Sequence, residues 1–298
     1  MIWESVSGST RSRQTQSGRR LNLLLRREHT IDMNNLTLFV SSNDAYEDCW
    51  HPFFFLLKKF WPDCDLPIIL NTETKSFAFE GLNITCTKTG KQQSFGKTFH
   101  AGLEQVNTDN ILLIMIDYFI MTDVSETYLR DAYKTFIQER LDSLCLVEMT
   151  TIKETVPLRD NVSLVSGPGR DRFSFQVALW KKGSIKKYVL GHENPWLSEC
   201  FGSLRYEYTK DRIGFVSKST EPFKYLHTGA LHEGKWIKET IPELEELGIS
   251  LDWKKRGFYE WKQPSLAQRI KRRRGTAIQE VRSRAHLLGL RYSLIPPD

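Results

Sequence analysis

The stretch 110-NILLIMIDYFIM-121 decides how the chain is read. Residues 111–116 are apolar without interruption, Asp117 follows, and Tyr118 and Phe119 come next. An apolar run of this kind fits a strand buried on both faces, as in a parallel sheet. A carboxylate at the end of such a run is costly unless it is paired or used. The identity of the fold and the purpose of Asp117 are therefore one question.

Working outward, strand-like and helix-like segments alternate. Ahead of the central run stand LTLFVSS (36–42), the helical YEDCWHPFFFLLKKFW (46–61) with Pro52 in its early part, LPIILNTE (66–73), LNITCTKT (82–89) and the helical SFGKTFHAGLEQV (94–106). After it come SETYLRDAYKTFIQER (125–140) and DSLCLVEM (142–149). This alternation predicts an α/β layer fold with a largely parallel central sheet flanked by helices. Past residue 155 the segments shorten: NVSLVS and FSFQVALWKK read as strands, PWLSECFGSLRYEY as a helix and RIGFVSK as extended.

The 298 residues are 40% hydrophobic, 26% charged and 12% aromatic, which suits a globular domain with a sizeable core. The net charge of +6 is uneven: residues 1–33 carry +3 and residues 253–298 carry +9, leaving −6 for the body. Basic ends point to anionic partners, and an acidic body argues against a nucleic-acid groove through the core. Cys49, Cys64, Cys86, Cys145 and Cys200 are odd in number and show no CxxC spacing, so free thiols in a reducing, cytoplasmic setting are expected. No apolar run reaches the roughly 18 residues of a membrane span. The Ser/Arg/Gln-rich start lacks a hydrophobic core, so no secretory signal is expected.

Three units follow. Residues 1–32 read as a basic, disordered leader with a short basic helix at 22–27. Residues 33–252 read as the main domain, and residues 253–298 as a basic amphipathic tail. In the tail, Leu266 and Ile270, then Ala277, Val281, Ala285 and Leu288, form an apolar stripe on a basic helix. Three readings stand: the stripe packs on the domain, it lies on an anionic membrane surface with Lys and Arg snorkelling outward, or the basic face binds nucleic acid.

In an open parallel sheet, ligands bind beyond the carboxyl ends of the strands. The polar residues closing each strand are therefore the informative ones: Ser41, Ser42, Asn43 and Asp44 after the first, Asn71 after the second, and Asp117 and Tyr118 after the fourth. Gathered on one rim, such groups suit a ribose, a sugar or a metal. Helix capping is the other reading, and Asn43 and Asp44 are good capping residues. Lys97, beside Gly96 at a helix start, suits a phosphate.

Three segments together resemble a family. The stretch 41-SSNDAYEDCWHPFFFLLKKFWPDCDLPIILNTE-73, the central DNILLIMIDYFI, and RFSFQVALWKKGSIKKYVLGHENPWLSE (172–199) are similar to glycosyltransferases of bacterial capsule and surface-polysaccharide gene clusters. The similarity covers roughly residues 36–240, with the motifs in the right order. It implies a GT-A-like fold, a nucleotide-diphosphate sugar as donor and a glycan or lipid-linked acceptor. Residues 33–150 would form the nucleotide-sugar half and 151–252 the acceptor half. Where the family pattern has two adjacent acids, this chain has Ile116 before Asp117. Asp117 is then either the sole protein carboxylate on a divalent cation (Mn or Mg), or the enzyme works without metal and Lys97, Arg170 and Arg172 neutralise the diphosphate.

In GHENPWLSE, Pro195 can start a helix, Trp196 offers an aromatic face, and Glu199 shares their side one turn on. Glu199 is the expected general base on the acceptor hydroxyl and Trp196 the expected stacking partner of the acceptor; a surface Glu199 paired to Arg205 is the alternative. Gln176, Trp180 and Arg205 complete the expected acceptor residues. His192, His227 and His232 fit no metal-ligand spacing. The expected protein is a cytoplasmic glycosyltransferase held at the inner membrane face by its tail, with no nucleic-acid partner; a non-catalytic glycan-binding member of the same fold is the alternative.

Overall fold

The computed structural model describes residues 32–91, 94–226, 229–261 and 277–285. The chain divides into residues 1–32 and 33–298. The helix expected at 22–27, His227, and Leu266, Ile270 and Leu288 of the tail stripe lie outside the described residues.

The front half runs β1 (Leu36–Ser41), α1 (Glu47–Phe60), β2 (Ile68–Leu70), β3 (Ile84–Cys86), α2 (Phe95–Leu103) and β4 (Asn110–Met115). Then come α3 (Glu126–Gln138), β5 (Ser143–Cys145), β6 (Thr155–Arg159), β7 (Val162–Val165), β8 (Ala178–Lys181), the short α4 (Lys182–Ile185), α5 (Pro195–Thr209) and β9 (Ile213–Val216). The chain continues through β10 (Leu231–His232), β11 (Lys235–Trp236), α6 (Ile241–Glu246), α7 (Trp253–Arg256) and a helix over 277–285, here α8.

Nine strands form one sheet in the order β3-β2-β1-β4-β8-β5-β9-β7-β6, and β10 and β11 form a separate hairpin. From β3 to β4 every pairing is parallel. Beyond β4 the sheet is mixed: β8 runs antiparallel to both β4 and β5, β5 and β9 are parallel, and β7 and β6 close the edge as an antiparallel pair. The sequence explains the centre. Every residue of β1 is buried, and so is β4 as far as Ile114, as apolar strands covered on both faces must be.

The helices are built by ordinary means. Ser94 caps α2 by accepting from the Lys97 N–H, and Ser125 caps α3 by accepting from the Tyr128 N–H. Pro52 falls inside α1 and removes one backbone donor there. Gly102 lets α2 lie directly on the sheet, since a β-carbon on it would sit 2.2 Å from Asn71 Oδ1.

Strand order places the site. From β1 the chain moves outward to β2 and β3, then returns to the other side of β1 as β4. The segments leaving β1 and β4 diverge, which opens a crevice at their carboxyl ends.

Trp180 lies at the heart of β8, not in a cleft. It is 2% exposed and packs against Phe173 and Tyr188, so the acceptor role expected for it is corrected to core packing. Its position pairs with Ile111 on one side and Ser143 on the other, in the middle of the sheet and away from the carboxyl-end rim. In α8 the polar side faces the domain: Arg282 and Ser283 are buried, whereas Ile278 and Val281 are about half exposed. Among the described residues no helix is long and apolar enough to cross a membrane.

Candidate active site

A cavity of about 330 Å³ opens at the carboxyl ends of β1 and β4. Ser41, Ser42, Asn43 and Tyr46 line it from β1, and Met115, Ile116, Asp117 and Tyr118 from β4. The first turns of α5 add Asn194, Pro195, Trp196 and Glu199. The β10–β11 turn adds Leu231, His232, Glu233 and Gly234, and Phe95 and Phe175 complete the wall.

The β1 side is rigid. Ser42 Oγ accepts from Trp50 Nε1 at 2.8 Å, and Asn43 Oδ1 accepts from the Ala45 N–H at 2.9 Å to start the turn into α1. Asp44 points away from the cavity. Its carboxylate accepts from the backbone N–H groups of Glu73, Thr74 and Lys75 and from the Thr74 hydroxyl, tying the β2 exit to the β1 exit.

On the β4 side the ladder runs one bond past the strand, from the Ile116 N–H to the Ser41 carbonyl, before the chain turns through Tyr118 N–H to Met115 O. Asp117 lies in that turn. Its carbonyl accepts from the Ala230 N–H at 2.9 Å, and the N–H groups of Asp117 itself and of Leu231 favour its ionised carboxylate. Burial pushes the carboxyl up to about 6, against the opposing pull of those N–H groups and of the Arg256 charge. Tyr118 stacks on Tyr225 with ring centres 5.0 Å apart. Burial, reinforced by the Asp117 charge, holds the Tyr118 phenol well above its ordinary value, so it stays protonated.

Glu199 is brought in by α5. Asn194 Oδ1 caps that helix by accepting from the Leu197 N–H at 2.9 Å, and Pro195 opens it. Glu199 Oε1 accepts from the Phe175 N–H at 2.8 Å. Burial raises the Glu199 carboxyl, the Phe175 bond offsets part of that rise, and Asp171 adds to it.

The rim is clamped by Arg256 of α7. Its guanidinium donates to both Asp48 oxygens, to the Ala45 carbonyl and to the Gly234 carbonyl, and lies 4.9 Å from the Tyr46 ring centre. One side chain thus joins the β1 exit to the β10–β11 turn on the far wall. Nothing in the local sequence marks Arg256 or that turn. HTGALHEGKW reads as a mixed loop, with only its glycines hinting at a tight turn.

Seven of the expected site residues meet in the cavity: Ser41, Ser42, Asn43, Asp117, Tyr118, Trp196 and Glu199. The others do not line it. Asn71 is buried under α2, donating to the Thr98 carbonyl and accepting from the Thr87 hydroxyl. Lys97 is exposed on α2. Gln176 stands behind the wall, donating to the Tyr118 hydroxyl at 3.4 Å and accepting from the Tyr225 hydroxyl at 2.6 Å. Arg172 spends its guanidinium on the carbonyls of residues 166, 167, 168 and 170.

Arg205 is corrected outright. It is 1% exposed and bonds bidentately to Glu193, at 2.8 and 2.7 Å, and to Ser283 Oγ at 2.9 Å. A buried guanidinium with these partners anchors α5 and α8; it is neither an acceptor contact nor the partner of Glu199.

Among the described residues no three His, Cys, Asp or Glu side chains converge as a metal cage. Asp117 is the single acid at the β4 exit, so a cation there would need a substrate's own oxygens to complete its shell.

No family model and no curated protein matches the chain. Among solved structures, S. aureus TarS 1–349 matches with a TM-score of 0.42 and 12% identity over 64% of this chain and 59% of that one. TarS 1–349 in complex with UDP matches at 0.41 and 12%, covering 74% and 67%. A UDP-glucose pyrophosphorylase complexed with UDP-glucose matches at 0.38 and 11%, covering 64% and 91%. The chain spans 41% to 59% of the first three matched proteins. These likenesses are partial, and the fold stands on its own strand order.

Proposed function

We propose that the chain is a glycosyltransferase of GT-A-like fold, moving a sugar from a nucleotide-diphosphate sugar to a glycan or lipid-linked acceptor in surface-polysaccharide synthesis. One feature carries this reading: two carboxylates with raised pKa, Asp117 and Glu199, line one cavity at the switch point in the parallel half of the sheet. Ser41, Ser42 and Asn43 meet the nucleotide, and Asp117 faces the donor. Glu199 accepts the proton as the acceptor hydroxyl attacks the anomeric carbon and the bond to the diphosphate breaks. Trp196 stacks on the acceptor sugar.

Among the described residues the cavity wall contains Asp117, Glu199 and Glu233 and no Lys or Arg. An anionic diphosphate entering such a wall needs a counter-cation, and Asp117 would supply the protein ligand to a Mn or Mg ion bridging the phosphates. The outward apolar side chains of α8, within a strongly basic tail, support attachment to an anionic membrane surface at the cytoplasmic face.

The test is a thermal-shift screen of nucleotide sugars with and without manganese, followed by a transfer assay. Stabilisation by at least one nucleotide sugar is expected; none, in either condition, overturns the reading. The same acid-lined wall favours a second reading, a non-catalytic glycan binder. That protein would bind neutral glycans and ignore every nucleotide.

A further inference from the structure

Beyond the cavity mouth four aromatic rings form a continuous surface. His232 is its centre: its ring lies 5.2 Å from Trp196, 4.2 Å from Tyr259 and 5.2 Å from Trp261, and Tyr259 and Trp261 are 4.9 Å apart. Trp196 and His232 also line the cavity, whereas Tyr259 and Trp261 lie outside it. The surface is therefore the cavity's outward continuation.

The rings are held in place. Residues 257–259 run beside β11 through Trp236 N–H to Gly257 O at 3.1 Å and Tyr259 N–H to Trp236 O at 2.8 Å. Beneath them Trp236 is buried against Phe119 and Trp253. Yet Trp196 is 50% exposed and Trp261 67%. Two large rings packed around His232 beside a cavity and left half in water are unusual unless a ligand covers them.

We infer that this surface is a second saccharide subsite, which receives the sugar unit next to the one entering the cavity. The acceptor is thus an oligosaccharide chain. The C–H faces of a pyranose pack on aromatic rings while its hydroxyls need polar groups. The imidazole of His232 and the Tyr259 hydroxyl stand among the tryptophans for that purpose. A lipid tail would gain nothing from them. This rests on the sugar-transfer reading for what occupies the cavity, but the subsite itself requires only that sugars bind.

Tryptophan emission and calorimetry on the full chain would use chitotriose, maltotriose and mannotriose, their monosaccharides, UDP and GDP with manganese, and phosphatidylglycerol vesicles. At least one trisaccharide is expected to shift the emission and to bind more tightly than its monosaccharide. Trp261→Ala, a change at an exposed ring, should weaken that binding about three- to tenfold and leave nucleotide affinity unchanged; Trp261→Phe should retain most of it. Three outcomes overturn the subsite: no trisaccharide binds, Trp261→Ala weakens nucleotide equally, or it only releases the protein from vesicles. Trisaccharide binding without any nucleotide binding would sink the transfer reading and leave the subsite standing.

Discussion

Gly229 presses directly on Asp117: a β-carbon at Gly229 would lie 2.6 Å from the carboxylate Oδ2 and 3.2 Å from the Tyr118 ring. Gly229 also holds φ at +73°. Both the left-handed backbone and the close approach to Asp117 favour glycine at this point. Gly229→Ala should lose about 1–2 kcal/mol from the left-handed backbone alone, and more from the clash. In an Asp117→Ala background the clash with the carboxylate disappears. Urea unfolding of the single and double variants should then show a smaller penalty for Gly229→Ala. Equal penalties in both backgrounds would contradict the contact.

The Asp117 carboxyl makes stability depend on pH in an unusual direction for an acid. Its folded value, about 6, exceeds the ordinary 3.8. Between those values the folded state binds more protons than the unfolded one, so stability falls as pH rises through this window and the penalty is fully present above about 6. Asp117→Asn removes the charge while retaining an oxygen for the Leu231 N–H. It should stabilise the protein by about 1–3 kcal/mol at pH 7.5, and the gain should vanish near pH 4. Turnover should fall by orders of magnitude. Melting curves of parent and variant across this pH range check the first part; a gain over the parent no larger at pH 7.5 than at pH 4 would count against desolvation of the half-buried Asp117.

Much of this was legible in the sequence, for a physical reason. Strands covered on both faces must be apolar throughout, so residues 36–41 and 110–115 announce themselves, and the polar groups that follow them meet at one edge. What local pattern cannot convey is pairing across the fold. Glu193 and Arg205 are twelve positions apart, and only the docking of α5 onto the segment before it brings them together. Gln176 and Trp180 show a suggestive spacing, but β8 begins only at Ala178 and carries Trp180 into the core. Arg256 acts on Ala45 and Asp48 from the far end of the chain, which no motif reveals.

The Glu193–Arg205 pair gives a test of that correction. Glu193 is fully buried, so Arg205→Met strands an unpaired carboxylate and should destabilise the protein by about 3–5 kcal/mol. Glu193→Leu combined with Arg205→Met should recover most of that loss. Below its melting temperature the double variant should keep its acceptor KM. A selective rise in acceptor KM with unchanged melting temperature would restore Arg205 to the acceptor site.

Glu199 is held by a single backbone bond at the cavity wall, which leaves its carboxylate able to serve as a base. Glu199→Gln preserves the Phe175 bond through the amide oxygen. It should leave donor affinity unchanged and reduce kcat by about 10²–10⁴-fold. The rate should also lose its rising acid limb, which in the parent reflects deprotonation of a carboxyl raised above its ordinary range. A collapse of donor affinity would instead place Glu199 on the donor side.

Charge within the cavity leads to the last expectation. Among the described residues three acids and no Lys or Arg line the wall; Arg256 at the rim is paired with Asp48, and Arg172 is committed to backbone carbonyls. A nucleotide diphosphate brought alone into this wall meets like charge without compensation. Affinity for UDP or GDP should therefore drop by about tenfold or more when divalent ions are chelated, equivalent to at least ~1.4 kcal/mol. Asp117→Asn should shrink the difference between chelated and manganese-replete samples, because the ion loses its protein carboxylate. Binding of a neutral trisaccharide should be indifferent to chelation. Calorimetry with and without chelator decides it: tight nucleotide binding that ignores manganese would mean that a cation-free device neutralises the phosphates, and Lys97 on α2 would be the first residue to examine.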